Sequence, residues 1–183
     1  EAYRGHIFLY YLFILPFINY CFPTISEALL KYRYRRLNEA RHAAREAGFR
    51  GAMFPWQSSS NGREETQKIH LNPHSGRWIP DNTHLQRHIN AAIAYNIWHY
   101  YQVTDDMEFM YFCGAEMFLE IASFWASMAT YNTEKDRYEI RGVVGPDEYH
   151  TSYPDSDKPG LNNNAYTNFM ASWVLQCALK VLD

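Results

Sequence analysis

The sequence predicts an all-α domain, and three observations carry that expectation. Apolar residues recur at helical spacing through most of the 183 residues. Pairs of the form Thr-x-x-Glu or Thr-x-x-Gln stand ahead of such runs, as in a capping box. A single strand-like run, Arg137 to Val144, interrupts the pattern and ends at Gly145-Pro146. Proline has no N–H to give a ladder, so the strand stops there.

The elements follow in order. The run from Ile7 to Ser26 carries no charge, and its length would cross a bilayer. Pro16 and Pro23 interrupt it, Asn19 and Ser26 lie within it, and Tyr10, Tyr11 and Tyr20 make it amphipathic. A buried helix in the Phe8 to Tyr20 region is therefore expected, and no membrane partner. Thr24 and Glu27 form a capping box for a second helix. Asn38 can cap a third, with Leu37, Ala40, Ala44 and Ala47 on its apolar face and Gly48 as its stop. From Phe49 to Pro80 the chain is rich in Gly, Ser, Asn and Pro without a period. So long a loop in a compact domain points to function.

Thr83 and Gln86 make a second capping box, before a stripe of Leu85, Ile89, Ala92, Ile93, Ile97 and Tyr100. Asp105 or Asp106 starts the next helix, with Phe109, Cys113, Met117, Ile121, Phe124 and Met128 inward. A last helix runs from about Asn164 to Leu182 and turns Phe169, Trp173, Cys177 and Val181 inward. About six helices are expected in all.

Composition narrows the function. The chain is 47% hydrophobic and 17% aromatic, which suits both a packed core and a sugar cleft. A net charge of −3 points to no polyanion partner. The run Tyr32-Arg33-Tyr34-Arg35-Arg36 mixes rings with cations, but Glu27, Glu39 and Glu46 lie close by. It reads as a solvated helix face, with no nucleic acid bound. Cys21, Cys113 and Cys177 are far apart and odd in number. They read as buried free thiols of a reducing, cytoplasmic compartment. His84 and His88, and His70 and His74, have i, i+4 spacing. No Glu follows the first His of either pair, and Pro73 keeps the second pair from being helical, so no metal is expected.

The loop Gly145-Pro146-Asp147-Glu148-Tyr149-His150 places two carboxylates, a phenol and an imidazole on one turn. Alone, a Pro-Asp-Glu turn is usually just a turn. Three further segments accompany it in order. They are Arg50-Gly51-Ala52-Met53-Phe54-Pro55-Trp56-Gln57, Gly62-Arg63-Glu64-Glu65-Thr66-Gln67 and Asn162-Asn163-Asn164-Ala165-Tyr166-Thr167-Asn168. Together the four resemble the central catalytic domain of glycoside hydrolase family 65, the maltose, trehalose and kojibiose phosphorylases. The resemblance runs from about His6 to the C-terminus.

The resemblance implies an α/α toroid, a six-hairpin barrel of twelve helices in two layers. Residues 1–183 would supply about half of it, a partial catalytic domain of a longer protein, with a short strand or hairpin before the catalytic loop. It implies inverting phosphorolysis of an α-linked glucose disaccharide of the maltose, trehalose or kojibiose type. Glu148 matches the general acid. Inorganic phosphate would be the co-substrate and nucleophile, with no cofactor. In the family the phosphate-binding Ser and His, and the Lys-Gln pair that holds the sugar, lie beyond the residues matching Asp183. Trp56, Arg63, Glu64 and Glu65 resemble residues lining the sugar subsites, although a loop-stabilising role would suit the last three as well. Asp147, Tyr149 and His150 accompany Glu148, and His150 is a rival acid by its ordinary pKa. Asn163 and Asn164, with Tyr166, could touch sugar, hold the catalytic loop or cap a helix. The resemblance leaves a homodimer of the full-length protein open.

One departure stands out. After His6-Ile7-Phe8 the family usually places Trp-Asp, with an acidic residue close behind, in the site for the non-reducing sugar. Here Leu9, Tyr10 and Tyr11 stand instead. A hydrolase on the same fold, in which a second carboxylate activates water, and a truncated fragment that at most binds sugar are the alternatives.

Overall fold

A computed structural model describes residues 11–146 and 151–182, and it is mostly helical. In order come α1 (Tyr11–Cys21), α2 (Pro23–Tyr34), α3 (Leu37–Glu46), the strands β1 (Ile69–Leu71) and β2 (Trp78–Pro80), and a 3-10 turn (Thr83–Leu85). Then follow α4 (Ile89–Thr104), α5 (Met107–Phe109), a π-helical turn (Met110–Gly114), α6 (Ala115–Met128), β3 (Thr130–Asn132), β4 (Arg137–Glu139) and α7 (Ala165–Leu182). Both strand pairs are antiparallel hairpins, with Leu71 opposite Trp78 and Asn132 opposite Arg137. The helices are those of a partial α/α toroid, and among the described residues they do not close into a ring.

α4 is the axis of the core. It packs against α1, α2, α6 and α7, and so Ile89, Ala91, Ala92, Ile93, Ala94, Ile97 and Tyr100 are all buried. Such all-round burial is what a helix enclosed by neighbours requires. Asp106 caps the next helix, accepting from the Phe109 N–H at 2.8 Å. Phe109, Cys113, Met117, Ile121, Phe124 and Met128 are buried as expected. Gly48 ends α3 at φ +81°, where glycine carries no steric penalty.

Several expectations need correction. Neither Thr-x-x-Glu/Gln pair is a capping box. Pro23 takes the first turn of α2 and puts Phe22 at the cap, as proline's fixed φ favours. Thr83 lies inside the 3-10 turn, and its N–H and hydroxyl bond Asp81 instead. Asn38 sits within α3, which Arg36 precedes as cap. The region expected to be a loop up to Pro80 ends in the β1–β2 hairpin.

α1 is only half buried. Leu15 and Asn19 face the core, while Phe13, Ile14, Phe17 and Tyr20 are exposed. Cys21 is exposed too; Cys113 and Cys177 are buried free thiols. On α7 the inward stripe is Thr167, Ala171, Val174 and Cys177, and Phe169 is 70% exposed. Ala47 likewise faces solvent. Among the described residues, no helix is long and apolar enough to cross a membrane.

Candidate active site

Two stretches of chain meet at the start of α4. One is the segment from Gly51 to Thr66. The other is the base of the loop that carries residues 147–150.

The first stretch is held from three sides. Gly51 packs on α6 so closely that an added Cβ would lie 2.1 Å from the Glu120 carbonyl oxygen. The Ala52 N–H donates to that oxygen at 3.0 Å, and the Met53 N–H donates to Ala40 O on α3 at 3.0 Å. From α4, buried Asn90 accepts the Phe54 N–H at 2.7 Å and donates to Arg87 O at 3.0 Å. From α2, the Tyr32 hydroxyl reaches Ser58 Oγ at 2.9 Å and Ser59 O at 2.5 Å. Arg36 donates to Ser60 O through Nε at 2.9 Å and lies 3.7 Å from the centre of the Tyr32 ring. Gly62, at φ +77°, leaves room for the Arg36 side chain.

The basic run is therefore not a solvated face. Arg33 is 3% exposed, with its guanidinium 5.8 Å and 5.9 Å from the Tyr32 and Phe54 rings. Burial lowers it to about 10, so it keeps its charge at neutral pH. Arg36 and Tyr32 clamp the loop rather than water. Of the residues that position this loop, Asn90 was not singled out from sequence, while Tyr32 and Arg36 belong to the run expected to be a solvated face. The mixed aromatic–arginine spacing of Tyr32-Arg33-Tyr34-Arg35-Arg36 was the available signal.

Within the loop Glu64 acts as a clasp. Its carboxylate accepts the Trp56 N–H at 2.6 Å, the Gln57 N–H at 3.0 Å and the Thr66 N–H at 3.2 Å, and also bonds the Thr66 hydroxyl. Ser58 and Glu64 pair as an isolated bridge. The Glu65 N–H donates to Gln57 O at 3.0 Å, and its side chain is exposed. Arg63 and Glu64 line an open depression of about 790 Å³ together with His42, Glu46, His84 and Arg87. Burial lowers the Arg87 guanidinium, with Glu64 acting in the opposite sense. Burial and then the Arg87 charge lower His84.

Behind the loop stands a column of rings. His88 lies 5.1 Å from Trp56 and 5.4 Å from Tyr166, edge to face with both. It is 1% exposed, and burial lowers its imidazole to about 4, so it is neutral at physiological pH. Burial also raises the Tyr166 phenol.

The second stretch is closed at its base. The N–H groups of Val143 and Leu161 donate to each other's carbonyls at 3.1 and 2.6 Å. The Val144 N–H reaches Leu85 O, in the turn before α4, at 3.0 Å. Asn163, at φ +55°, exchanges two bonds with Ile140: its N–H donates to Ile140 O at 2.7 Å, and its Oδ1 accepts the Ile140 N–H at 3.2 Å. Asn164 caps α7 through Oδ1, which accepts the Thr167 N–H at 3.0 Å. The side chains of Asn163 and Asn164 thus hold backbone. The strand leading in is anchored by Glu139, which is 3% exposed and bonded to Arg141 at 2.6 Å, Arg137 at 3.3 Å and Lys135 at 3.4 Å.

The structure thus brings Trp56, Arg63, Glu64 and Glu65 onto one loop, and Asn163 and Asn164 onto the base of the other. Asp147, Glu148, Tyr149 and His150 lie outside the described residues, as do Leu9 and Tyr10. Neither histidine pair shares a helix: His84 lies in the 3-10 turn and His88 caps α4, while His70 is on β1 and His74 follows it. Among the described residues, no group of three or more His, Cys, Asp or Glu side chains is placed to hold a metal.

The structure thus defines a helical domain with two loops seated at the start of α4, and comparison with known proteins gives its family. The chain belongs to glycosyl hydrolase family 65, whose central catalytic domain matches residues 1–183. It is 52% identical over its whole length to an uncharacterized glycosyl hydrolase of Mycobacterium tuberculosis, covering 14% of that protein. It is 47% identical to a kojibiose phosphorylase of Halothermothrix orenii, over 100% of this chain and 23% of the relative. To a trehalose 6-phosphate phosphorylase of Lactococcus lactis it is 44% identical, over 96% of this chain and 22% of the relative. A solved structure of a putative kojibiose phosphorylase from the human microbiome matches all of this chain and 22% of its own, with a TM-score of 0.79 at 32% identity. The chain therefore spans less than a quarter of the length of these relatives.

Proposed function

We propose that residues 1–183 are a partial catalytic barrel domain carrying the acid side of an inverting disaccharide phosphorylase. Glu148 protonates the glycosidic oxygen while inorganic phosphate attacks the anomeric carbon from the opposite face. The bond to the acceptor breaks, the configuration inverts, and the products are β-glucose 1-phosphate and the free acceptor. No protein base is needed, because phosphate is already a nucleophile, and no cofactor enters. Trp56 offers its face to a sugar ring. Arg63, Glu64 and Glu65, on the same loop, bond hydroxyls, and Asp147, Tyr149 and His150 surround the acid. Asn163 and Asn164 serve by holding the loop's base. The substrate is an α-linked glucose disaccharide of the maltose, trehalose or kojibiose type, handled in the cytoplasm by a protein that can pair as a homodimer.

The observation that supports this best is the clasped base at Val143–Leu161, which the Val144 N–H ties to Leu85 O just before α4, the helix whose Asn90 also holds the segment leading into Trp56. The relatives named as kojibiose and trehalose 6-phosphate phosphorylases, and a 1,2-alpha-glucosylglycerol phosphorylase of Bacillus selenitireducens, support phosphate as nucleophile. The uncharacterized glycosyl hydrolase among the relatives favours water as the second reading.

The test uses the full-length protein that carries this chain. It is incubated with each disaccharide, with and without phosphate, and proton NMR follows the anomeric products. β-Glucose 1-phosphate appearing only with phosphate is expected, with turnover about 10²–10⁴-fold lower in Glu148→Gln. Free glucose formed at the same rate without phosphate would establish the hydrolase instead.

A further inference from the structure

His88 is a buried polar group set between aromatic rings. Neither Nδ1 nor Nε2 has a hydrogen-bond partner among the described residues, although buried polar atoms are as a rule bonded. What the ring does touch is aromatic. It stands edge to face with Trp56 at 5.1 Å and 69°, and with Tyr166 at 5.4 Å and 84°. These geometries are the favoured ones for paired rings. Trp56 belongs to the loop that Glu64 clasps. Tyr166 stands in the first turn of α7, directly after the loop that carries Glu148. His88 itself sits at the cap of α4, next but one to Asn90, which fixes the Phe54 backbone. One short piece of chain therefore grips both the main chain and the ring of the Trp56 segment.

We infer that His88 is a positioning residue: its flat ring spaces Trp56 from Tyr166 and thereby sets the tilt of the Trp56 face against the bound sugar. This rests on the reading of Trp56 as a sugar platform. His88 touches no reacting atom and acts through Trp56. Its shape matters and its nitrogens do not, which separates it from an acid–base histidine. A histidine that merely fills the core would act on stability without acting through Trp56.

The experiment compares His88→Phe, His88→Ala, Trp56→Ala and the double variant of the last two in the full-length protein. His88→Phe keeps a flat ring and is expected to hold KM and kcat within about threefold of the parent. His88→Ala is expected to raise KM for the disaccharide about tenfold with a smaller change in kcat, the signature of lost binding shared by ground and transition states. On the Trp56→Ala background the same change should leave KM unmoved, because coupled residues are not additive.

A second readout does not depend on turnover. The protein is labelled with 5-fluorotryptophan, and the Trp56 signal is identified by its loss in Trp56→Ala. That fluorine signal should be single and sharp in the parent and in His88→Phe, and broadened or split in His88→Ala. If the parent shows no phosphorolysis, the function proposed above fails while the fluorine spectra still decide the role of His88. If His88→Ala does not fold, His88→Leu, which fills the space without a flat ring, replaces it.

His88→Phe as damaging to turnover as His88→Ala would overturn the inference, since the nitrogens would then do the work. So would an unchanged Trp56 signal in His88→Ala, or an equal rise in KM with and without Trp56.

Discussion

The Trp56 main-chain N–H donates to the carboxylate of Glu64 at 2.6 Å, so the residue proposed as a sugar ligand also fixes the backbone of Trp56. The oxygens of Glu64 receive N–H groups from both sides of the loop, Trp56 and Gln57 on one flank and Thr66 on the other. Charged acceptors make the stronger bonds of this kind.

Glu64→Gln should therefore loosen the loop without unfolding the domain. In any orientation the amide NH2 meets an N–H donor. The site is exposed, so the cost is about 1 kcal/mol. Hydrogen exchange at the Trp56 and Gln57 amides should speed up several-fold, while amides in α4 stay unchanged. Equal exchange at all of them in parent and variant would show that the clasp is dispensable.

Asn90→Ala should cost more, because it strands a buried donor. The Phe54 N–H would lose its acceptor at 2.7 Å in a fully buried site. A loss of about 1–3 kcal/mol is expected in urea unfolding, with KM for the disaccharide raised through the displaced Trp56. A loss below a few tenths of a kcal/mol would mean that another group takes over the Phe54 N–H.

Gly51→Ala tests the close approach of the loop to α6. The new Cβ would sit 2.1 Å from Glu120 O and 2.6 Å from Phe124 N, both backbone atoms of a packed helix, at φ +69°. Neither the helix nor the turn can yield cheaply, so destabilisation of at least roughly 3 kcal/mol is expected. A melting temperature within two or three degrees of the parent would contradict that close approach.

Glu139 predicts an acid-dependent loss. Hydrogen bonding to Arg141 first, then Asn132 and Arg137, with the Lys135 charge, holds its carboxyl down at about 2. Its folded value lies below the unfolded one, near 4.3. The native state therefore binds fewer protons there, and the stabilisation is present above about pH 4.3 and lost as pH falls through about 2. The melting-temperature gap between the parent and Glu139→Gln should be widest near neutrality and shrink steadily below pH 4.3. A gap that stays constant down to pH 2 would rule out the ion cluster as its source.

The fold was legible where period and burial agree, and it misled where size stood in for burial. The stripe Phe109, Cys113, Met117, Ile121 is buried throughout, yet its steps of four residues are too long for a regular α-helix. The π turn at Met110–Gly114 absorbs the excess, a signal present in the spacing and not used. On α7 the large side chains suggested the inward face. Trp173 does pack against Tyr95 of α4 and Phe118 of α6, and Cys177 is buried, but the rest of the buried face is Thr167, Ala171, Val174 and Ala178, and Phe169 points away. Thr24 failed as a cap because Pro23 ahead of it sets the first turn by itself. Arg33 was expected in solvent from its charge, but it is buried with its guanidinium over the Tyr32 and Phe54 rings. For the candidate site, the motifs pointed to the Trp56–Glu64 loop and to Asn163–Asn164. The groups that hold these in place, Asn90, Arg36 and His88, are scattered through helices. The aromatic–arginine run marked Arg36, but no local pattern marks Asn90 or His88, whose partners Phe54 and Trp56 lie dozens of residues away.

The knot at Val143 and Leu161 is tied entirely by main-chain atoms, and every amino acid except proline brings the same pair of atoms to such a tie. The tie thus tolerates exchange of its own two side chains but not of the glycine beside it: a Cβ on Gly160, at φ +96°, would lie 2.7 Å from the Gly142 backbone. The seat of the loop is written in main chain and in the lack of a side chain, not in functional groups.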